Sequence, residues 1–287
     1  MRPFLLFASI ILGILLPQAQ NFSFLVQYLL MLMLFMSFLG IKITPKIFSK
    51  NIFLILIANI ALGFLWYFLV LLFNSTLALI AFITAITPTA TAAPAVVHFL
   101  KGKVDYATAS VILTNLVIAI SLPIFTSILH VGKNGSFGIS SLQNVFIVIF
   151  IPLFLAQGIN LIRPSLGKMI SKYKMLSFAA WVVVVFLAVA KSSAFIMAHK
   201  EIPIGSLLGI AILVLLICVV NFALGRIIGG KEFGLEGSQS LGQKNTVFSI
   251  WYALAFINPL VALGPVFYLV YHNLYNSWQM LRVSGKK

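Results

Sequence analysis

Apolar runs of membrane-spanning length follow one another along almost the whole chain, and nothing else about it constrains the fold so strongly. They fall at about residues 3–19, 24–41, 51–73, 76–100, 105–130, 139–162, 175–199, 203–229, 236–257 and 260–282. A helix needs about 20 consecutive apolar residues to cross the hydrocarbon core. The breaks carry turn chemistry and charge: KITPKIFSKN, FNST, KGKVD, HVGKNG, IRPSLGKMISKYK, HKEIP, GRIIGGKEF and INP. Only 8% of the residues are charged and the mean hydropathy is +1.13. Soluble domains run near a quarter charged, so the chain reads as an all-α polytopic membrane protein with no soluble domain.

The net charge of +15 follows from topology. Taken alternately along the chain, the N-terminus, every second loop and the C-terminus hold 1, 3, 2, 4, 2 and 3 Lys or Arg, 15 in all. The opposite face holds only Lys133 and Lys200, and Lys191 and Lys244 lie inside spans. This asymmetry places both termini in the cytoplasm, and the plasma (inner) membrane is the expected location. It is not a nucleic-acid footprint. The first run, MRPFLLFASIILGILLPQAQ, has the basic start and apolar core of a secretory signal peptide. It lacks the small-x-small cleavage pattern, and its loss would leave an odd count, so it is read as a retained span. One cysteine, Cys218, excludes a disulfide framework and most thiolate metal sites.

Ten spans divide into five plus five, residues 1–130 and 131–287. An odd count per half forces the second half to enter the membrane in the opposite sense, the inverted-repeat plan of many secondary transporters. The fourth and ninth spans are then counterparts, and both are interrupted. One carries TPTATAAPAVVHF (87–99), with Pro88 and Pro94; the other carries GSQSLGQKN (237–245). Proline removes an amide donor and clashes with the preceding turn. One such span reads as a simple kink, since Pro and Gly are common in membrane helices. Two at matching places, both rich in Thr, Ser, Gln and Asn, point to a binding site near the midplane.

Residues 87–116, TPTATAAPAVVHFLKGKVDYATASVILTNL, resemble the helix-4 to helix-5 region of the bile acid:sodium symporter family. SQSLGQKNTVFSIWYALAF (238–256) resembles that family's ninth helix, and GPVFYLVYHNLYNSW (264–278) its tenth, including the pair His272 and Asn273. The resemblance implies broken helices 4 and 9 crossing at the centre. It also implies a panel domain of helices 1, 2, 6 and 7, and a core domain of helices 3–5 and 8–10. Family members move organic anions, commonly with two sodium ions behind the crossover. By the same resemblance, Thr91, Asn245, His272 and Asn273 are substrate contacts, with Thr246 beside Asn245.

The chain departs from the family at the ion sites. Aligned on Asn245, the family's sodium-binding Glu falls on Ser240 and its Gln on Lys244. The Ser-Asn pair of helix 4 falls on Ala93 and Pro94. Two helix-5 ligand positions fall on Ala107 and Val111, with Thr108 or Ser110 within a small register shift. Hard cations want several oxygen ligands, preferably a carboxylate among them. The four acidic residues, Asp105, Glu201, Glu232 and Glu236, sit in loops or at span ends. A lysine ammonium in that cavity would repel sodium by on the order of several kcal/mol. Sodium coupling through the family's sites is therefore not expected, and no metal or cofactor is expected.

Lys244 has no acidic residue within seven positions and admits three readings. It snorkels to the cytoplasmic face; it is a tethered cation standing in for sodium and joining helices 4 and 9; or it faces the substrate's charge. A lysine desolvated in one conformation and hydrated in another would also hold its proton differently in the two, which opens proton coupling. Lys191, in FLAVAKSSAF, either snorkels to the outer face or adds positive potential to the cavity. Ser192 and Ser193 line the path or bond back to their own helix. His98 reads as a surface or gate residue.

The leading function is alternating-access secondary transport of a small organic anion by a monomer in the lipid bilayer, with no nucleic-acid partner. An auxin-efflux-carrier-like or proton-coupled anion carrier is the alternative. An arsenite permease is disfavoured because the fourth span lacks a cysteine. A channel would need a selectivity ring, which a single chain does not display. An intramembrane enzyme would need a nucleophile with its base, a carboxylate pair or a metal cluster; the chain has no HExxH and no GxSxG.

Overall fold

A computed structural model describes residues 2–39, 49–129, 138–199 and 204–284. The breaks KITPKIFSKN, HVGKNG and HKEIP lie largely outside the described residues, and with them Lys133, Lys200 and Glu201. The order of elements is α1 (Arg2–Leu15), a 3₁₀ turn (Pro17–Phe22), α2 (Leu25–Leu39), α3 (Lys50–Leu71), α4 (Ser75–Ile86), α5 (Ala93–Phe99) and α6 (Val104–Ile128). Then follow α7 (Gly138–Ile162), α8 (Pro164–Ile170), α9 (Lys174–Ala198), α10 (Ile204–Gly242), α11 (Thr246–Phe256) and α12 (Pro259–Ser284). The described residues contain no β-strand; Thr89 and Lys244 form one isolated antiparallel bridge. α3, α6, α7, α9 and α10 are each long and apolar enough to cross a membrane. The protein is all-α and membrane-embedded.

Local chemistry sets where these helices begin and end. Asn74 caps α4, its Oδ1 accepting from Leu77 N at 2.9 Å. Asn258 caps α12 in the same way, accepting from Val261 N at 3.0 Å, and Pro259 takes the first helical position, where its missing N–H is not needed. Pro94 is the second residue of α5, still within the first turn, so it starts that helix instead of breaking one. α10 doubles back at Gly230, whose φ of +63° is open to glycine without strain. Its two arms then meet through glycines. A Cβ on Gly229 would stand 3.0 Å from Gly234 Cα, and Gly225 and Gly237 face each other backbone to backbone.

The chain forms two compact units. Unit 1 comprises Met1–Lys42, Ala119–Pro203 and Ile250–Leu263. Within it α1 packs on α9, so closely that a Cβ on Gly13 would lie 2.8 Å from Phe186 O. α2 packs on α7 and α9, and Gln157 Nε2 and Asn160 Nδ2 of α7 donate to Phe38 O and Leu39 O at the end of α2 (3.2 and 3.3 Å). Ser192 neither bonds back to its own helix nor stands free. Its hydroxyl donates to Pro259 O at 2.9 Å.

Unit 2 comprises Ile43–Ile118, Ile204–Ser249 and Gly264–Lys287. α3 packs on α4 and α10, and Ile55, Leu62 and Leu241 form a buried cluster with Trp66, Val220 and Leu224 around it. Gly63 and Gly264 admit α4 at close range, against Ile86 and against Ile80 and Thr84. At the start of α6 the carboxylate of Glu236, 4% exposed, accepts from Lys103 N at 2.6 Å. It thereby holds a negative charge at a helix N-terminus.

Candidate functional site at the paired helix breaks

Within unit 2 the chain leaves helical geometry at residues 87–92 and again at 243–245. α4, with 12 residues, and α11, with 11, are each about half the length that a bilayer crossing requires. Backbone released from a helix at membrane depth must find partners inside the protein. Here it does so almost group by group. Ala90 N donates to Gln243 O and Asn245 N to Pro88 O, both at 2.8 Å, so the two breaks pair as antiparallel extended segments. Thr89 N donates to Thr114 Oγ1 (3.0 Å), and Thr89 O accepts from Asn115 Nδ2 (2.8 Å). Thr89 Oγ1 donates to Ser240 O (2.6 Å), and Gly242 O accepts from the Tyr268 hydroxyl (2.7 Å). Pro88 has no N–H to satisfy, and its carbonyl is used.

The carbonyls at the end of α4 and of its cap residue Thr87 remain, and Asn59 and Lys244 take them. Asn59 Nδ2 donates to Ile86 O and Thr87 O, both at 3.1 Å. The Lys244 ammonium donates to Ala85 O at 2.8 Å and to Asn59 Oδ1. A cation thus sits at the C-terminal end of a helix, where orphan carbonyls and the dipole both favour it. Lys244 is 1% exposed, so the snorkelling reading fails: the side chain turns inward and does not reach a membrane face.

Asn245, 8% exposed, joins the same network through Nδ2, which donates to Asn115 Oδ1 at 3.0 Å. Thr246 is buried at the first turn of α11, and Thr91 is half-buried between the break and α5. At the positions aligned with ion ligands, Ala93 is buried in the first turn of α5 beside Pro94, and Ala107 and Val111 are buried in α6. The hydroxyl-bearing register of α6 is one residue away. Ser110 and Ser240 are both buried with hydroxyls that have no partner among the described residues. Thr108 donates to Val104 O in its own helix.

Not every expected residue converges here. His272 is buried on α12, packed edge-on against Tyr268 with ring centroids 5.7 Å apart. Asn273 turns to its own helix, donating to Leu269 O at 2.7 Å. Lys191 belongs to unit 1, where it lines a cavity of about 180 Å³ with Ser23, Gln27, Trp251 and Leu254. His98 is exposed. Sequence reasoning missed Asn59 and Asn115. The signal for Asn59 was present, since it stands alone in the apolar stretch FLILIANIALGF. No group of three His, Cys, Asp or Glu that could hold a metal occurs among the described residues. The chain matches no protein-family model and no curated protein.

Proposed function

We propose that the chain is a secondary transporter of a small organic anion that works by alternating access without the sodium sites of the symporter family it resembles. One observation carries this reading: the Lys244 ammonium, held at the end of a half-helix by Ala85 O and Asn59 Oδ1. Transporters with broken helices hold their coupling cation at half-helix C-terminal ends and unwound carbonyls. A tethered ammonium there needs no ion from solution, and its charge opposes a second cation nearby. In this reading Lys244 serves as a surrogate cation, and Ser240, Ala93, Pro94, Ala107 and Val111 mark ion sites that have lapsed together.

An anionic cargo is favoured by the charges available to it. Lys191, with Ser23, Gln27 and Trp251, offers an ammonium, polar groups and an aromatic face around one cavity of unit 1. Asn245 and Thr246 stand at the N-terminal end of α11, whose dipole favours negative charge. The protein then acts as a monomer in the inner membrane with both termini in the cytoplasm.

A thermal-shift panel of carboxylates and sulfonates, on the full chain in detergent with sodium or choline as the only cation, tests the reading, because a ligand stabilises the state it binds. The expected result is stabilisation by at least one organic anion to the same extent in both salts, followed by sodium-independent uptake of that anion into proteoliposomes. Uptake that strictly requires sodium would refute the surrogate-cation reading. Stabilisation by organic cations in place of anions would refute the substrate class.

A further inference from the structure

Beside the crossover, unit 2 holds buried polar side chains whose remaining hydrogen-bonding atoms nothing above uses. Gln239, Gln243, His272 and Asn276 are 0, 4, 5 and 3% exposed. Each keeps one polar atom without a partner among the described residues: Gln239 Oε1, Gln243 Oε1, His272 Nδ1 and Asn276 Nδ2. Gln239 Nε2 donates to Asn276 Oδ1 at 3.1 Å and to Gln279 Oε1 at 2.7 Å. These bonds orient the amides of Gln239 and Asn276, leaving a carbonyl oxygen on one and an NH₂ on the other.

Two of these residues belong to a line along α12. Tyr268, His272, Asn276 and Gln279 recur at helical spacing and share one face of α12. That face meets the last turns of α10 at two levels, Tyr268 at Gly242 and Asn276 with Gln279 at Gln239. Eleven residues of helix span about 16 Å. Gln279 is half-buried at one end. At the other end Tyr268 lies beside Cys218, and its hydroxyl donates to Gly242 O, two residues before Lys244. Tyr268, His272 and Cys218 are the ionisable groups placed along this line among the described residues. Glu236, one turn before Gln239, is engaged with Lys103 N, and Arg282 stacks on Trp278 at 3.9 Å.

The donor set decides the ligand. A metal ion wants acceptors alone, and the Asn276 NH₂ would repel it. Water both donates and accepts, and buried water makes about three hydrogen bonds to such groups. We propose that this face of α12 holds a file of ordered water that carries protons between the Gln279 end and the level of Tyr268 and Lys244, with His272 as the relay. A proton taken up at one ring nitrogen and released from the other leaves the imidazole neutral with its tautomer exchanged. Lys244 can keep donating to Ala85 O and Asn59 Oδ1 as ammonium or as amine, so its charge can change without dismantling the crossover. The purpose assigned to the path rests on the transporter reading; its hydration does not.

Deuterium exchange at the imidazole C2 of each histidine, read by mass spectrometry on the full chain in detergent across a pH series, tests the proposal without any transport assay. His272 is expected to exchange within about ten-fold of the exposed His98, against the far larger protection of a dry core. Asn276→Leu and, independently, Gln279→Leu are expected to slow His272 at least about five-fold while leaving His98 unchanged. Gln279 is half-buried, so its variant keeps the test open if Asn276→Leu does not fold. A His272 that stays protected while His98 exchanges fully overturns the proposal, as does a rate that neither leucine changes. Protection of His272 that appears only on adding sodium or potassium places a cation there in place of water and also overturns it. Failure of anion uptake with exchange intact removes the transporter reading alone.

Discussion

The pairing of Lys244 with Asn59 allows a quantitative test by double-mutant cycle. Asn59→Leu removes two bonds at 3.1 Å, one to the last carbonyl of α4 and one to its cap residue Thr87, and one of the two acceptors of a buried ammonium. An orphaned buried polar group costs about 1–3 kcal/mol and a bond to a charged group contributes about 1.5–3 kcal/mol. Allowing for carbonyls that find water, the loss is about 3–6 kcal/mol. Lys244→Met also orphans Ala85 O, but it removes the desolvation penalty of an ammonium that has no carboxylate partner among the described residues, so the smaller loss is expected there. In the double variant the charged bond is absent from both sides, and the two losses should fall short of additivity by about 1.5–3 kcal/mol. Equilibrium unfolding by SDS in mixed micelles, followed by helical circular dichroism, provides the four free energies. Additivity within about 0.5 kcal/mol would mean that the two side chains do not interact, and the tethered-cation argument would fall with it. So would a Lys244→Met loss that exceeds that of Asn59→Leu.

Three further outcomes are expected. Glu236→Ala leaves the Lys103 N–H without its carboxylate and should lower stability by about 1.5–3 kcal/mol in the same unfolding assay, whereas Glu232→Ala, whose pair with Lys103 at 3.0 Å is solvent-exposed, should lower it by less than about 1 kcal/mol. Gly264→Val drives a side chain into Ile80 and Thr84 of α4 and should cost about 1–3 kcal/mol or more, read as a lowered unfolding midpoint. In a Cys218→Ser background, single cysteines beside Lys103 and Arg163 should label only from the cytoplasmic side with a membrane-impermeant maleimide, and one placed at Lys133 only from the outside. Uniform labelling from either side would refute the charge-derived topology.

The features that sequence reasoning could see were those that break a pattern. Pro88, the glycine and amide cluster before Asn245, and a lysine without an acidic neighbour each interrupt an apolar run, and the interruptions are where the structure leaves the helix. What decides the fate of the lysine was not visible. Asn59 lies 185 residues away, and a single Asn in an apolar span fits a lipid-facing or a helix-facing position equally well by pattern. Snorkelling was credible for Lys244 because distance along a helix says how far the ammonium can reach and not which way it turns. Pro94 shows the limit for punctuation residues: the same ring that breaks a helix interior starts one at the first turn. The polar face of α12 was read as the pair His272 and Asn273, but helical spacing places His272 with Tyr268 and Asn276 instead.

The two backbone bonds between Pro88–Ala90 and Gln243–Asn245 make the position of the charge a matter of register. In extended chain, neighbouring side chains point to opposite faces, so a slip of one residue turns the whole set over. Inserting or deleting a single residue between Thr87 and Thr91 would turn the Thr89 hydroxyl away from Ser240 O and break the backbone pairing that seats Lys244 at the end of α4. Length, as well as side-chain identity, is then what this stretch must keep. The Thr89 hydroxyl, which holds Ser240 O, and Pro88, which has no N–H to satisfy, must stay as well, so the stretch is constrained in both count and chemistry.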